Sequence, residues 1–140
     1  MSANGLKVAQ NALRQYMCGK TFDNILDKVK IVSGGDGRLR AELVVAPEHQ
    51  NRMGTMHGGM TATLVDTLST VALVTHQAGV PGVTVDLHVS YLKAAREGET
   101  IVIDCNTLKA GKTLAFLDVE IKKKQTGELI AKGSHTKYIA

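Results

Sequence analysis

Hydrophobic and polar residues alternate with a period of two along most of the second half of the chain. This period is typical of antiparallel strands with one buried face. Four strands are predicted there, over residues 82–92, 99–109, 113–124 and 128–138. The same alternation predicts two earlier strands, over residues 25–33 and 38–46, on either side of a Gly34-Gly35-Asp36-Gly37 turn.

Two other segments follow a helical pattern. Residues 1–20 contain an amphipathic helix at 5–18, with an apolar stripe on one side. Residues 59–76 are apolar on nearly every side, with Asp66 as the one charge, and are too long for a strand. A helix that is apolar all round needs a sheet wrapped around it. The pattern therefore predicts an α+β fold, in which an antiparallel six-stranded sheet is wrapped around a long central helix.

The length of 140 residues fits a single domain over 1–140 and excludes a TIM barrel or a Rossmann domain with a substrate domain. No run of 18 apolar residues predicts a membrane span. The net charge of +4 favours an anionic partner without choosing between nucleic acid, a lipid headgroup and a phosphorylated cofactor.

The cysteines and the N-terminal segment indicate a compartment. Cys18 and Cys105 form no motif, and no secretory signal is recognisable, so we expect a reduced, cytoplasmic setting. Lys7, Arg14 and Lys20 precede the first acidic residue. We interpret these basic residues as a solvated helix face, and a mitochondrial targeting sequence is the alternative.

Two features of the central helix suggest chemistry. Asp66 is costly to bury unless neighbouring hydroxyls, such as those of Thr63 or Ser69, satisfy it or it lies at a wet cleft. The second feature is the His57-Gly58-Gly59 run, which places unshielded backbone N–H groups and the positive end of the helix dipole at the helix start. Such a terminus stabilises an anion or a developing oxyanion, although a tight turn would explain the glycines equally well.

The spacing of these two features predicts a shared site. Gly58 and Asp66 are eight residues apart, which is roughly 12 Å along a helix. An oxyanion donor and a general base must both lie within about 3 Å of the reacting group or its water. One helix cannot present both to one carbonyl group, but two antiparallel copies can. If the two residues act together, the site lies at a two-fold dimer interface, with two sites per dimer.

The chain resembles the hotdog-fold thioesterases, and within them the phenylacetate-pathway-type branch. The resemblance rests on the order of elements and on the run Asn51-x-x-Gly54-x-x-His57-Gly58-Gly59 followed by Asp66. It extends to the segments PGVTVDLHVSY, AGKTLAF and AKGSHTKY, and so covers nearly the whole chain. It implies a hotdog fold that forms dimers and tetramers. It also implies hydrolysis of medium- to long-chain fatty acyl-CoA, without a metal or a cofactor other than the coenzyme A of the substrate.

The resemblance also implies a role for each site residue. The Gly58 N–H and the Asn51 side chain polarise the thioester carbonyl. Asp66 of the partner subunit activates the attacking water, or attacks directly as the less favoured alternative. A hydroxyl group on the following strand holds Asp66 and the water. Thr84 occupies that position in this chain, and close relatives carry Ser there. His57 lies near the departing sulfur. Taken singly, each residue also has a structural explanation, and their joint spacing favours catalysis.

Coenzyme A is expected, by the same resemblance, at the end of one strand, at a hairpin and on the last strand. The predicted contacts are Tyr91, Leu92, Lys93, Arg96, Lys109, Ala110, Gly111, Lys112, Thr113, Leu114 and Tyr138. The basic side chains fit an anionic ligand, and solvated strand ends are the alternative. An apolar tunnel for the acyl group is expected along Leu64, Leu68, Val71 and Val85.

Other functions remain open at this stage. A hotdog module that binds acyl-CoA or a lipid without turnover is one alternative, although a pure binder has no reason to bury Asp66. A hydratase or dehydratase is disfavoured because the Asn-x-Asn-Pro-x-His arrangement of that branch is missing, and an aryl-acyl-CoA thioesterase is a third alternative. The Lys122-Lys123-Lys124 run lacks interleaved aromatic residues, and the five histidines lack metal-site spacing, so neither nucleic acid nor a metal is expected.

Overall fold

The computed structural model describes residues 3–77 and 79–140, so residues 1, 2 and 78 of the predicted domain lie outside the described residues. In chain order its helices and strands are α1 (Ala3–Tyr16), β1 (Lys30–Gly35), β2 (Arg38–Val44), α2 (Gly58–Val74), β3 (Val83–Tyr91), β4 (Thr100–Ala110), β5 (Leu114–Lys123) and β6 (Leu129–Tyr138). The strands form one antiparallel sheet in the order β1-β2-β4-β5-β6-β3. The predicted α+β architecture is confirmed.

The largest difference from the sequence prediction lies at the first strand. β1 begins at Lys30 rather than at residue 25, because Phe22–Leu26 forms a 3-10 helix instead. Local hydrogen bonds favour this turn: the Asn24 side chain donates to the Gly19 carbonyl at 2.6 Å, and the Asn24 N–H donates to the Thr21 carbonyl at 3.2 Å. A side chain that bonds to nearby backbone in this way competes with strand formation.

Helix α2 is enclosed by the sheet. It contacts β2, β3, β4, β5 and β6, and most of its residues are buried. It packs closely on the sheet at Gly133 of β6, where a Cβ atom would lie 2.5 Å from Val65 Cγ1. Because alternate residues of β6 point inward, the same approach turns the buried His135 and Lys137 towards α2.

The two edges of the sheet differ. Helix α1 packs on β1 so closely that a Cβ atom at Gly5 would lie 2.6 Å from the Gly34 carbonyl oxygen. At the other edge β3 is largely uncovered, and Val83 and Val85 are 68% and 60% exposed. An apolar, unpaired edge strand is a ready partner for another strand. No helix in the described part of the chain is long and apolar enough to cross a membrane.

Replacing Gly133 with alanine tests the close approach of α2 to the sheet. The added methyl group must displace Val65, so we expect Gly133→Ala to lower the free energy of unfolding by about 1–3 kcal/mol, as overpacking does. Urea denaturation measures the change. Gly19→Ala is the matched control, because its Cβ would have no neighbour closer than 3.6 Å, and it should change stability by less than about 0.5 kcal/mol. Equal stability of the Gly133→Ala and Gly19→Ala variants would contradict this packing.

Candidate active site

Asp66 presents its carboxylate at the surface of a helix whose flanking positions are buried. Its side chain is 49% exposed. The nearby hydroxyls do not satisfy it: Ser69 Oγ and Thr70 Oγ1 donate to the Asp66 backbone carbonyl at 3.1 and 2.9 Å, and Thr63 Oγ1 donates to the Gly59 carbonyl at 2.7 Å. The interpretation of Asp66 as a carboxylate satisfied by Thr63 or Ser69 is therefore wrong. Its oxygens remain open to a ligand or to water.

His135 links the residues around Asp66 and was not among the predicted site residues. Its buried ring places Nδ1 2.8 Å from Ser69 Oγ and Nε2 2.9 Å from Thr84 Oγ1. Asp66 Oδ1 lies 3.8 Å from the same Nε2 atom. The alternation of residues along its strand does place His135 at an inward-facing position. That alternation alone does not show that the strand lies beneath Asp66.

The hydrogen-bond network assigns a direction to each of these contacts. The Ser69 hydroxyl proton goes to the Asp66 backbone carbonyl, so Ser69 Oγ accepts from His135 Nδ1–H. A neutral imidazole with its proton on Nδ1 accepts at Nε2, so the Thr84 hydroxyl donates there. No group in residues 3–77 and 79–140 donates to Thr84 Oγ1, so its lone pairs remain for a ligand in the neighbourhood of the Asp66 carboxylate.

Burial keeps His135 neutral. Burial, with a smaller contribution from the neighbouring Lys137, lowers the pKa of His135 to about 4, although Asp66 and Asp86 oppose the shift. Lys137 is itself buried, which lowers the pKa of its amine, and its Nζ donates to Thr70 Oγ1 at 2.7 Å. The neighbourhood of Asp66 therefore contains an uncharged imidazole, oriented hydroxyls and the buried Lys137 amine.

The start of α2 leaves one amide unpaired. His57 caps the helix: its Nδ1 accepts from the Gly59 N–H at 2.7 Å, and its carbonyl accepts from the Met60 N–H at 2.9 Å. The Gly58 N–H has no acceptor among the described residues. Of the two predicted glycine amides, one thus serves the cap and the other is available to a ligand.

Asn51 is held beside this helix start by its own loop. Its Oδ1 accepts from the Met53 and Thr55 N–H groups at 2.8 and 3.2 Å, and its Nδ2 donates to Thr55 Oγ1 at 2.9 Å. An amide nitrogen has two protons, so one Nδ2–H of Asn51 remains for a ligand. Tyr91, predicted to contact coenzyme A, donates its hydroxyl to the Gly58 carbonyl at 2.8 Å and so braces the same helix start.

The predicted site residues therefore form two groups in one chain. Asp66 and Thr84 meet at His135, near the middle of α2. Gly58 and His57 lie at its first turn, roughly 12 Å away at 1.5 Å per residue. One chain does not bring the carboxylate and the unpaired amide to a common point.

The predicted coenzyme A contacts are also divided. Tyr138 pairs with Val83 at the first residue of β3, whereas Tyr91 ends β3 eight residues later, roughly 26 Å away at strand rise. The segments around Tyr91 and Tyr138 thus lie at opposite ends of the sheet. Lys93 in addition forms an ion pair with Glu128 at 2.6 Å. One chain alone therefore does not bring the predicted coenzyme A segments together.

Within one chain, the residues expected along the acyl tunnel do not line an open cavity. Leu64, Leu68 and Val71 are fully buried in the hydrophobic core, and Val85 is exposed on the edge strand β3. Among residues 3–77 and 79–140, no three His, Cys, Asp or Glu side chains are grouped as a metal site would require.

Comparison with known proteins gives consistent matches. The family model described as the thioesterase superfamily matches residues 53–130, which include Gly58, Asp66 and Thr84. Acyl-coenzyme A thioesterase 13 of Mus musculus is 50% identical over 118 residues, 84% of each chain, and that of Homo sapiens is 48% identical over 120 residues, 86% of each. The crystal structure of zebra fish thioesterase superfamily member 2 superposes with a TM-score of 0.94 at 43% identity, covering 97% of this chain and 99% of that one.

The neutral state of His135 predicts a loss of stability in mild acid. The pKa of His135 is about 4 in the folded chain and 6.5 as the ordinary value, so the unfolded chain takes up the proton first as the pH falls. Stability should decrease from pH 6.5 towards pH 4 and be independent of this group above pH 7. Urea denaturation at pH 7 and pH 5 measures the difference.

His135→Gln, which keeps a hydrogen-bonding group but does not titrate, should show a smaller decrease between pH 7 and pH 5 than the wild type. His88→Gln, on the exposed part of β3, is the control and should retain the wild-type decrease. An identical pH dependence in the His135→Gln variant and the wild type would rule out a buried neutral histidine.

Proposed function

The chain belongs to the thioesterase superfamily, and on that basis we propose that it hydrolyses acyl-coenzyme A thioesters to a carboxylic acid and coenzyme A. The observation that carries the proposal is the half-exposed Asp66 carboxylate on a buried helix, beside a Thr84 hydroxyl that a neutral His135 orients. The placement of a carboxylate that is half removed from water and has no hydrogen-bonding hydroxyl partner in the described part of the chain is unfavourable and serves no packing purpose. It is explained if the carboxylate acts on a water molecule.

In the proposed reaction Asp66 and Thr84 position the attacking water. Both present acceptor oxygens, so each can take one hydrogen of the same water molecule. Asp66 then removes a proton as the water oxygen bonds to the thioester carbon, which is general-base catalysis. His135 contributes by fixing the direction of the Thr84 hydroxyl, and so acts as a positioning residue.

The negative charge that develops on the carbonyl oxygen is stabilised at the start of α2. The unpaired Gly58 N–H and the free Nδ2–H of Asn51 are the proposed donors, with the positive end of the helix dipole behind them. When the carbon–sulfur bond breaks, the electron pair leaves with the sulfur. His57 accepts at Nδ1 and so carries its proton on Nε2, from which it can donate a hydrogen bond to the thiolate while the proton that Asp66 took from the water returns to solvent.

The two halves of the site belong to different copies of the chain in this proposal. The uncovered edge of β3 pairs antiparallel with the same edge of a second copy, which sets Gly58 of one chain opposite Asp66 of the other. The Tyr91 end of one β3 then meets the Val83 end of its partner. That pairing reunites the divided coenzyme A segments, with Lys109 and Lys112 available for the phosphates. Two such dimers are expected to form a tetramer.

Replacing Asp66 with asparagine tests the proposed base. Asn is nearly isosteric and cannot accept the proton, so we expect kcat for acyl-coenzyme A hydrolysis to fall by about 10²–10⁴-fold. Release of the free thiol, measured with a chromogenic disulfide, gives the rate. Asp118→Asn, on the outer face of β5, is the matched control and should keep wild-type activity.

Substrates in this assay should include a fatty acyl series and phenylacetyl-coenzyme A, because the proposed acyl group is a medium to long fatty chain and an aryl acyl group is the alternative. Equal rates for Asp66→Asn and the wild type would refute the assignment of the base. Tight binding of acyl-coenzyme A by the wild type without thiol release would refute hydrolysis and indicate a binding module instead.

A further inference from the structure

We propose that the groove between α1 and the C-terminal end of α2 receives the far end of the acyl chain and limits its length. This inference rests on the proposed hydrolysis of acyl-coenzyme A and assigns a specificity role to Tyr16, Ala12 and Val74. None of these residues was among the predicted tunnel residues.

Partly exposed positions run along α2 from the helix start to Asp66 and reappear at Val74, beside this groove. Within α2, only Gly58, Gly59, Ala62, Thr63, Asp66 and Val74 are not buried. Gly58, Ala62, Asp66 and Val74 follow the four-residue ridge of a helix, and Thr70 at the remaining ridge position is covered by the Lys137 amine. The ridge leads from the proposed reaction centre at Asp66 to Val74, roughly 12 Å further along the helix axis.

The groove at the end of this ridge suits a hydrocarbon chain. It is a cavity of about 340 Å³, lined by Ala12, Gln15, Tyr16, Val74, Gly79 and Pro81. The lining residues that the structure describes carry no charge, and the small side chain of Ala12 leaves room between the helices. An uncharged, largely apolar cleft of this kind is a typical site for an acyl group.

Tyr16 lines the groove and interacts electrostatically with Asp66 at the proposed reaction centre. Its half-buried ring packs against the core and lines the groove. Burial raises the pKa of its hydroxyl, and the Asp66 carboxylate raises it further, so the Asp66 charge reaches this side chain. In the proposed complex, a chain whose carbonyl is held at Asp66 enters the groove beside the Tyr16 ring.

The effect of chain length should follow from burial. Each methylene group that leaves water should raise kcat/KM about fourfold until the chain reaches the end of the groove, after which the gain stops. An acetyl group is too short to span the distance from Asp66 to Val74. Substitutions in the groove should therefore change kcat/KM for long acyl chains and leave kcat/KM for short ones unchanged.

The experiment measures kcat/KM for butanoyl-, octanoyl-, dodecanoyl- and palmitoyl-coenzyme A with groove variants of the full-length protein. Val74→Phe fills the groove, and we expect at least a tenfold loss for dodecanoyl-coenzyme A with less than a twofold change for butanoyl-coenzyme A. Tyr16→Ala opens the groove and should increase the acyl chain length at which kcat/KM stops rising. Ala12→Met is a second way to fill the groove if Val74→Phe does not fold.

Val44→Phe, the same substitution at an exposed position of β2, is the control and should leave the chain-length profile unchanged. The dissociation constant of a non-hydrolysable dodecyl thioether of coenzyme A provides a readout independent of turnover and should rise in Val74→Phe. Folded groove variants with the wild-type profile and the wild-type affinity would overturn the inference while leaving the proposed hydrolysis intact. Absence of thiol release from every substrate would instead overturn the proposed function.

Discussion

The enclosure of α2 by a single sheet is the constraint on which the rest of the structure depends. Five strands contact this helix, and β6 approaches it so closely at Gly133 that no Cβ atom fits against Val65. Such close packing leaves few positions of the helix in contact with solvent, and Asp66 is one of them. The fold therefore decides which polar groups of α2 can reach a ligand, and at which points along the helix.

The same enclosure explains the polar network beneath Asp66. The approach of β6 to α2 inserts the His135 ring between Ser69 and Thr84, and burial keeps the ring uncharged. A buried polar group is stable only when it is hydrogen-bonded, and here each ring nitrogen has a hydroxyl partner. A network whose members are all paired is also rigid, which is the property needed to hold a nucleophilic water in place.

Periodicity in the sequence was sufficient for the sheet and for α2, because burial on one face or on all faces leaves a direct pattern. It failed at residues 25–29, where the side chain of Asn24 stabilises a local turn. The separation of Gly58 from Asp66 followed from helix geometry alone. His135 could not be assigned in advance, because its inward position acquires a meaning only once β6 is known to lie beneath α2.

The arrangement of the predicted coenzyme A and tunnel residues within one chain could not be predicted, for a related reason. Tyr91 and Tyr138 belong to one predicted contact set but lie at opposite ends of the sheet, which only the strand pairing shows. The leucines of α2 were expected in a tunnel because they are apolar, but the sheet covers them fully. Apolar character does not distinguish a core position from a ligand-lining one, since both favour the same side chains.

The central claim is that each active site is shared between two chains, and hybrid dimers test it most directly. Asp66→Asn and Asn51→Asp would each inactivate a different half of the site while preserving the shape of the side chain. Random reassociation makes half of the dimers hybrid, and each hybrid has one site with both native halves, so the mixture should recover about a quarter of the wild-type activity. No recovery in a mixture whose hybrid dimers are demonstrated by mass spectrometry would contradict the account.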